Sequence, residues 1–426
     1  MATREKPQPL SARRAARRGP HILIAGGGAA GLSLALALRH GLGDRAAITI
    51  AGAAPASGGA PDHRGWAITA GSRRLLSVIG AWEGMAADAA PVTRISVTDS
   101  RTRDVVRPVF LDFDAPRETG DPFAHIVPAG TVIRALDNAA RAAGITFRAV
   151  PVKDVTAGPG RAEAHLSDGA ALACDLVVAA DGARSPLRDS AGIGFVRWDY
   201  PQSGIVATLA HERPHEGRAI EHFLPSGPFA MLPLTDDAAG RHRSSIVWTE
   251  RRENVPALLR LPADMLMGEI ESRFGLELGE ITLLDAPRAF PLAFGVARSF
   301  IGPRLALVGD AAHQVHPIAG QGLNLGLKDV AALAECIVDA ARLGLDIGSA
   351  STLAGYERAR RADTVALGFG MDALNRLFSN DSLPLRLVRD LGLGLVDRSP
   401  ALKRAFMAQA AGEWGDPPRL LRGQAL

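Results

Sequence analysis

The chain has 426 residues, enough for two domains, and 47% of them are apolar, enough for a large core. Its net charge of +3 is local, because Arg4, Lys6, Arg13, Arg14, Arg17 and Arg18 stand against Glu5 alone in the first twenty residues. The body is therefore slightly acidic and gives no charge argument for nucleic acid. No apolar run is long enough to span a bilayer, and the two cysteines, Cys174 and Cys336, stand outside any metal-ligand spacing, which fits a reducing cytoplasmic setting.

Residues 1–20 read as a disordered basic tail, with no apolar segment of the kind a secretory signal needs. His21 to Ala25 is a short apolar strand, followed by Gly26-Gly27-Gly28-Ala29-Ala30-Gly31 and a helical pattern from Leu32 to His40. This is G-x-G-x-x-G between a strand and a helix. Gly26 makes the turn, Gly28 admits a pyrophosphate to the backbone, and Gly31 lets helix and strand pack closely. Ala46 to Ile50 is the next strand. It ends in Ala51-Gly52, where a dinucleotide fold normally carries an acid for the ribose hydroxyls.

Arg64, in a loop ahead of Trp66, is placed to face a phosphate or a flat ring edge. Strands at Ile95 to Thr98 and Val105 to Phe110 follow, then a helix from Thr131 to Ala143 and a hairpin turn at Ser167-Asp168-Gly169. A buried strand then ends in Asp181-Gly182-Ala183-Arg184-Ser185-Pro186-Leu187-Arg188. Asp181 can accept hydrogen bonds from a ligand, and Arg184 and Arg188 can meet phosphates. Residues 203–250 alternate as sheet strands without phosphate-binding features, and residues 255–275 read as helical.

The densest cluster comes late. Leu305 to Val308 is a buried strand, Gly309-Asp310 ends it, and Pro317, Gly320, Gln321 and Gly322 lead into a helix from about Leu323-Asn324. Glycines ahead of a helix let a ligand approach free amides, and Asp310 can accept from hydroxyls. The stretch suits a ligand with both a polyol and an electron-rich group. From Leu353 the chain reads as helical, with Arg358, Arg360 and Arg361 on an exposed face and breaks at Pro384, Gly392 and Pro400.

The three clusters together resemble the group A flavoprotein aromatic hydroxylases, the para-hydroxybenzoate hydroxylase class. Asp62-x-Arg64 before Trp66-Ala67-Ile68, the run from Glu221 to Leu234, the run from His316 to Leu327 and the tail from Leu374 to Arg398 are similar to the ubiquinone-biosynthesis hydroxylases within it. The resemblance implies an α/β fold: a Rossmann-like FAD-binding domain (21–89, 121–190 and 289–352) interleaved with a β-sheet substrate domain (90–120 and 191–288), plus a C-terminal helical region (353–426). It implies FAD, held by Gly26, Gly28, Ala30, Gly31, Arg64, Asp181, Gly182, Arg184, Gly309, Asp310, Pro317, Gly320, Gln321, Gly322, Leu323 and Asn324. NADH or NADPH would be the electron donor, and a flavin hydroperoxide would deliver the hydroxyl to a polyprenylphenol-type substrate.

The ring is expected against His222, Phe229, Leu232 and Pro233, and no side chain is singled out as catalytic. Partners implied are molecular oxygen, a quinone-biosynthesis assembly and a peripheral contact with the inner face of the cytoplasmic membrane. Ala51, and Ala129 where the family usually carries Asn or Gln, remove two hydrogen bonds to the cofactor. At about 0.5–1.5 kcal/mol each, they weaken binding by roughly ten- to a hundredfold. A flavin-poor structural or lipid-presenting subunit is the alternative that these two alanines motivate. A third is a flavin hydroxylase of another hydrophobic phenol.

Overall fold

The structure, a computed structural model, describes residues 19–52, 64–99, 109–115, 121–275, 277–316, 320–379 and 416–426. Residues 1–18 of the basic tail, Asp62, Pro317, and the breaks at Pro384, Gly392 and Pro400 lie outside the described residues.

A six-stranded sheet forms the α/β unit. His21–Ala25 lies within it, with Ile22, Leu23 and Ile24 fully buried. A strand covered on both faces needs a continuous apolar run, which is what this segment carries. It pairs in parallel with Ala47–Ala51 on one side and Leu176–Ala179 on the other, and Leu176–Ala179 pairs in parallel with Leu305–Leu307. The three glycine- and aspartate-bearing clusters therefore leave the same edge of one sheet, side by side. That edge, beyond the carboxyl ends of parallel strands, is where open α/β sheets bind ligands.

A nine-stranded sheet makes the second unit, built on the long strand Phe195–His211. Its register sorts the side chains onto two faces. On one, Ile205, Trp248 and Phe229 oppose one another and join Met231 and Ile246 in an apolar cluster closed by Leu266, Ile270 and Phe274, from the helix Ala263–Phe274. On the other, Val206, Val247, Ala230 and Glu221 form one row across four strands. Ser245 shares this second face, and its hydroxyl accepts from the Gly65 amide at 3.3 Å. The second face thus looks toward the α/β unit.

The helix Ala350–Phe378 crosses both units. Near its start the Tyr356 hydroxyl donates to the Leu307 carbonyl at 2.6 Å, and at its end Phe378 packs on Phe223 with centroids 4.1 Å apart. Residues 416–426 return to the α/β core, where the 3-10 helix Arg419–Arg422 buries Leu420 and Leu421 and Arg419 pairs with Glu335 and Asp339. Arg360, expected on an exposed face, is only 4% exposed.

Candidate active site

Two glycines in the first turn have no room for a side chain. A Cβ on Gly26, whose φ is +117°, would stand 2.1 Å from the Ala180 carbonyl oxygen, and one on Gly31 would stand 2.0 Å from the Gly26 carbonyl. Gly28 is different, since a Cβ there meets nothing within 4 Å. The first two are required by the protein's own packing, while Gly28 faces open space that a pyrophosphate can enter. The helix Ala29–Leu42 behind it has no side-chain cap and no acidic residue in its first turn. Its leading amides and positive end are therefore free for an anion.

Asp181 and Asp310 follow the two neighbouring strands. One Asp181 oxygen accepts from the Leu187 amide at 3.3 Å, whereas the other is buried without a partner. Asp310 makes no hydrogen bond with any described residue. It is reachable from the cleft, yet protein surrounds it on its other sides. That burial raises its carboxyl above the ordinary range, and His313 and Arg64 pull it back in part. Burial likewise raises Asp181, against hydrogen bonds from Ser185 and Leu187. Two underused carboxylates beside a free helix N-terminus fit a ligand carrying hydroxyls and a pyrophosphate.

The third cluster is held from behind. Gly309, at φ +59°, packs against Ala30, and its amide donates to Asp329 at 3.0 Å. Asp329 is 0% exposed, on the helix Gln321–Arg342, and also takes His313 at 2.5 Å and Arg360 at 2.9 Å. Burial alone would raise its carboxyl, but His313 and Arg360 outweigh that and hold it below the usual value. This helix starts at Gly320 in the left-handed region, again with no side-chain cap and no acid in its first turn. By contrast, Thr69, Ser185 and Ser349 cap their helices with side-chain oxygens. The helix that follows the third cluster is thus left open at the end a flavin ring would face.

Several expected contacts are reassigned. Asn324 does not offer its side chain to a ligand: its oxygen accepts from the Thr69 amide and hydroxyl, and its nitrogen donates to the Ala67 and Gly320 carbonyls, at 2.8 to 3.2 Å. It clamps the Gly320 turn to the strand Gly65–Thr69. Arg188 is buried, donates to the Ala183 and Ala311 carbonyls and stacks on Phe195, so it ties two clusters together rather than meeting phosphate. Arg184 remains exposed at the edge. Arg64 lies over Phe290, its guanidinium carbon 5.1 Å from the ring centroid. Gln321 is buried at the helix start, with Gly322 and Leu323 beside it half-buried.

Of the four residues expected against the ring, Phe229 sits in the cluster under the helix Ala263–Phe274. His222 is paired opposite Phe229 and bonds Thr98 at 2.5 Å, so it shares that turned-away face. Pro233 alternates onto it as well. Only Leu232, opposite Ser245, is on the cleft side. Sequence reasoning missed Asp329, Arg360 and Glu221. The available signal was a charged residue on the apolar stripe of a helix for the first, and strict alternation along 218–224 for the last.

Residues 20–366 match the FAD binding domain family. The chain belongs to that family. It is 43% identical over 413 residues to ubiquinone hydroxylase UbiL of Rhodospirillum rubrum, covering 95% of this chain and 93% of the relative. It is 36% identical to 3-demethoxyubiquinol 3-hydroxylase of Escherichia coli, covering 92% and 98%. The fold matches that of p-nitrophenol 4-monooxygenase PnpA of Pseudomonas putida with a TM-score of 0.73 at 18% identity, covering 93% and 99%. It is thus an FAD-dependent monooxygenase of the ubiquinone-biosynthesis hydroxylase group.

Proposed function

We propose that the enzyme hydroxylates the aromatic ring of a phenol bearing a polyprenyl tail. The observation that carries this reading is the cleft-side face of the nine-stranded sheet. Val206, Leu232 and Val247 remain partly accessible there, and Phe290 is 40% exposed, although all four belong to the interior strands of a sheet. Accessible apolar side chains on such strands mark a binding surface for an apolar ligand.

Gly26, Gly28 and Gly31 with the free N-terminus of Ala29–Leu42 would hold the pyrophosphate of FAD. Asp310 would take ribitol hydroxyls, and the amides opening Gln321–Arg342 would stabilise negative charge on the flavin ring. Bound FAD supplies two-electron transfer from the nicotinamide and the activation of oxygen. The chain's share is position and exclusion of water. Asp329 and Asn324 fix the ring end, Arg64 stands between Asp310 and Phe290, and the apolar row keeps the reacting carbon dry. His316, 1% exposed with both ring nitrogens unpartnered and pushed down to about 4 by burial, stays neutral beside this site.

A polyprenyl substrate resides in a bilayer. The reading therefore includes peripheral contact with the inner face of the cytoplasmic membrane and membership of a quinone-biosynthesis assembly. Among the described residues no helix is long and apolar enough to cross a membrane. Deleting the encoding gene and identifying the accumulated quinone precursor by mass spectrometry tests the proposal. The expected result is a prenylated phenol lacking one hydroxyl; unchanged quinone content would overturn it.

A further inference from the structure

Glu221 is the one acid in the cleft-facing row. It stands on the strand Arg218–Leu224, opposite Ala230 on one side and Val97 on the other. It makes no hydrogen bond or ion pair with any described residue. Protein encloses it, while the cleft leaves it partly reachable. The charged groups on the elements around it are otherwise engaged. Asp99 shares its face and has a partner of its own. Arg94 pairs with Asp114, Arg218 with Glu277, and Arg376 with Asp372. Arg64 stacks on Phe290, and Arg288 is at the open end of the row. An enclosed carboxylate with no protein donor is costly unless a ligand supplies one.

We propose that Glu221 receives the phenolic hydroxyl of the substrate, accepting its hydrogen bond in the complex and taking its proton as the ring is hydroxylated. The inference rests on the phenol reading above. The ring supplies the electron pair of the new C–O bond, and oxygen activated at the reduced cofactor supplies the hydroxyl: its O–O bond breaks, and the second oxygen atom leaves as water with the two electrons the reduced cofactor provides. The phenolic O–H bond breaks, its electron pair stays on oxygen as a carbonyl, and the proton goes to Glu221. Tautomerisation then releases the ring-carbon proton to water, and Glu221 returns its proton to the carbonyl oxygen, leaving the aromatic diol.

Burial pushes the Glu221 carboxyl up to about 7. A base of that strength is about half ionised at neutrality and fully so above it, and the phenol becomes far more acidic as its ring is attacked, so the proton moves downhill. The same enclosure has a stability signature. Between the ordinary value of 4.5 and about 7 the folded chain keeps a proton that the unfolded chain releases. This group therefore lowers stability as pH rises through that window.

The test is equilibrium binding of 2-farnesylphenol and its methyl ether to the FAD-loaded protein, read by fluorescence quenching. Wild type is expected to prefer the phenol by about tenfold well above neutrality, with the preference fading as Glu221 protonates. Glu221→Gln is expected to bind the two ligands within about twofold and to melt higher than wild type above neutrality. Glu221→Asp retains part of the preference. If wild type shows no preference, or Glu221→Gln keeps it, the proposal is overturned while the phenol reading stands. If wild type binds neither ligand, the phenol reading falls and takes this proposal with it. Should Glu221→Gln not fold, the wild-type pair and Glu221→Asp still decide.

Discussion

The two ends of the proposed cofactor groove are built on opposite plans. At the flavin-ring end, side chains reach behind the backbone and hold it. Asp329 holds the Gly309 amide, and Asn324 joins the Gly320 turn to the strand at Ala67 and Thr69. At the adenosine end the backbone holds itself. Gly26 donates to the Ala51 carbonyl at 2.8 Å, Ala129 donates to the Arg64 carbonyl at 2.8 Å, and both alanines are 1% exposed. One end invests polar side chains in its own rigidity. Among the described residues, no side chain bonds the Gly26, Ala51 or Ala129 backbone at the other. A groove can thus be well formed throughout and still offer its ligand an unequal grip.

That contrast breaks most sharply at Asp329. Asp329→Asn leaves Arg360 and His313 in the interior without their shared anion, and should cost about 3–5 kcal/mol, with FAD lost before global unfolding. Thermal unfolding with and without FAD reads both; an unchanged melting temperature would remove the hub from the account. Asn324→Ala should cost about 1–3 kcal/mol by leaving the Ala67 carbonyl and Thr69 amide unpaired. Its FAD affinity should fall with it, measured by titration of the apoprotein.

At the other end the sign reverses. Ala51→Glu should tighten FAD by about 0.5–1.5 kcal/mol through new ribose hydrogen bonds, and equal affinity would show that the adenosine end is already saturated. Gly28→Ala separates groove from fold most finely. Its Cβ meets no protein, so stability should stay within about 0.5 kcal/mol while FAD retention drops.

The three clusters were readable from sequence because each carries its own local grammar of apolar strand, glycine or aspartate, and helix. Their convergence follows from the direction of parallel strands. The substrate face was less readable. The run Glu221-His222-Phe223 reads as one motif, yet a period of two sends His222 under the helix Ala263–Phe274 and Glu221 to the cleft. A family-like run does not say which alternate residues look inward. Arg360 was misplaced for a related reason. Its partner Asp329 lies on another helix, and no pattern within one amphipathic segment shows that two buried charges face each other.

Asp329 also fixes an order of events. It binds the turn after the Leu305–Leu307 strand and Arg360 on the following helix, while the strand beside Leu176–Ala179 is His21–Ala25, the first among the described residues. During synthesis that strand leaves the ribosome long before Leu176–Ala179 and Leu305–Leu307, the two strands that complete the groove. Pairings this distant close late. The cofactor cleft is thus finished only when the helix Ala350–Phe378 docks. Nascent chains halted before Arg360 should remain protease-sensitive and take up no FAD, whereas those released beyond it acquire both resistance and colour together.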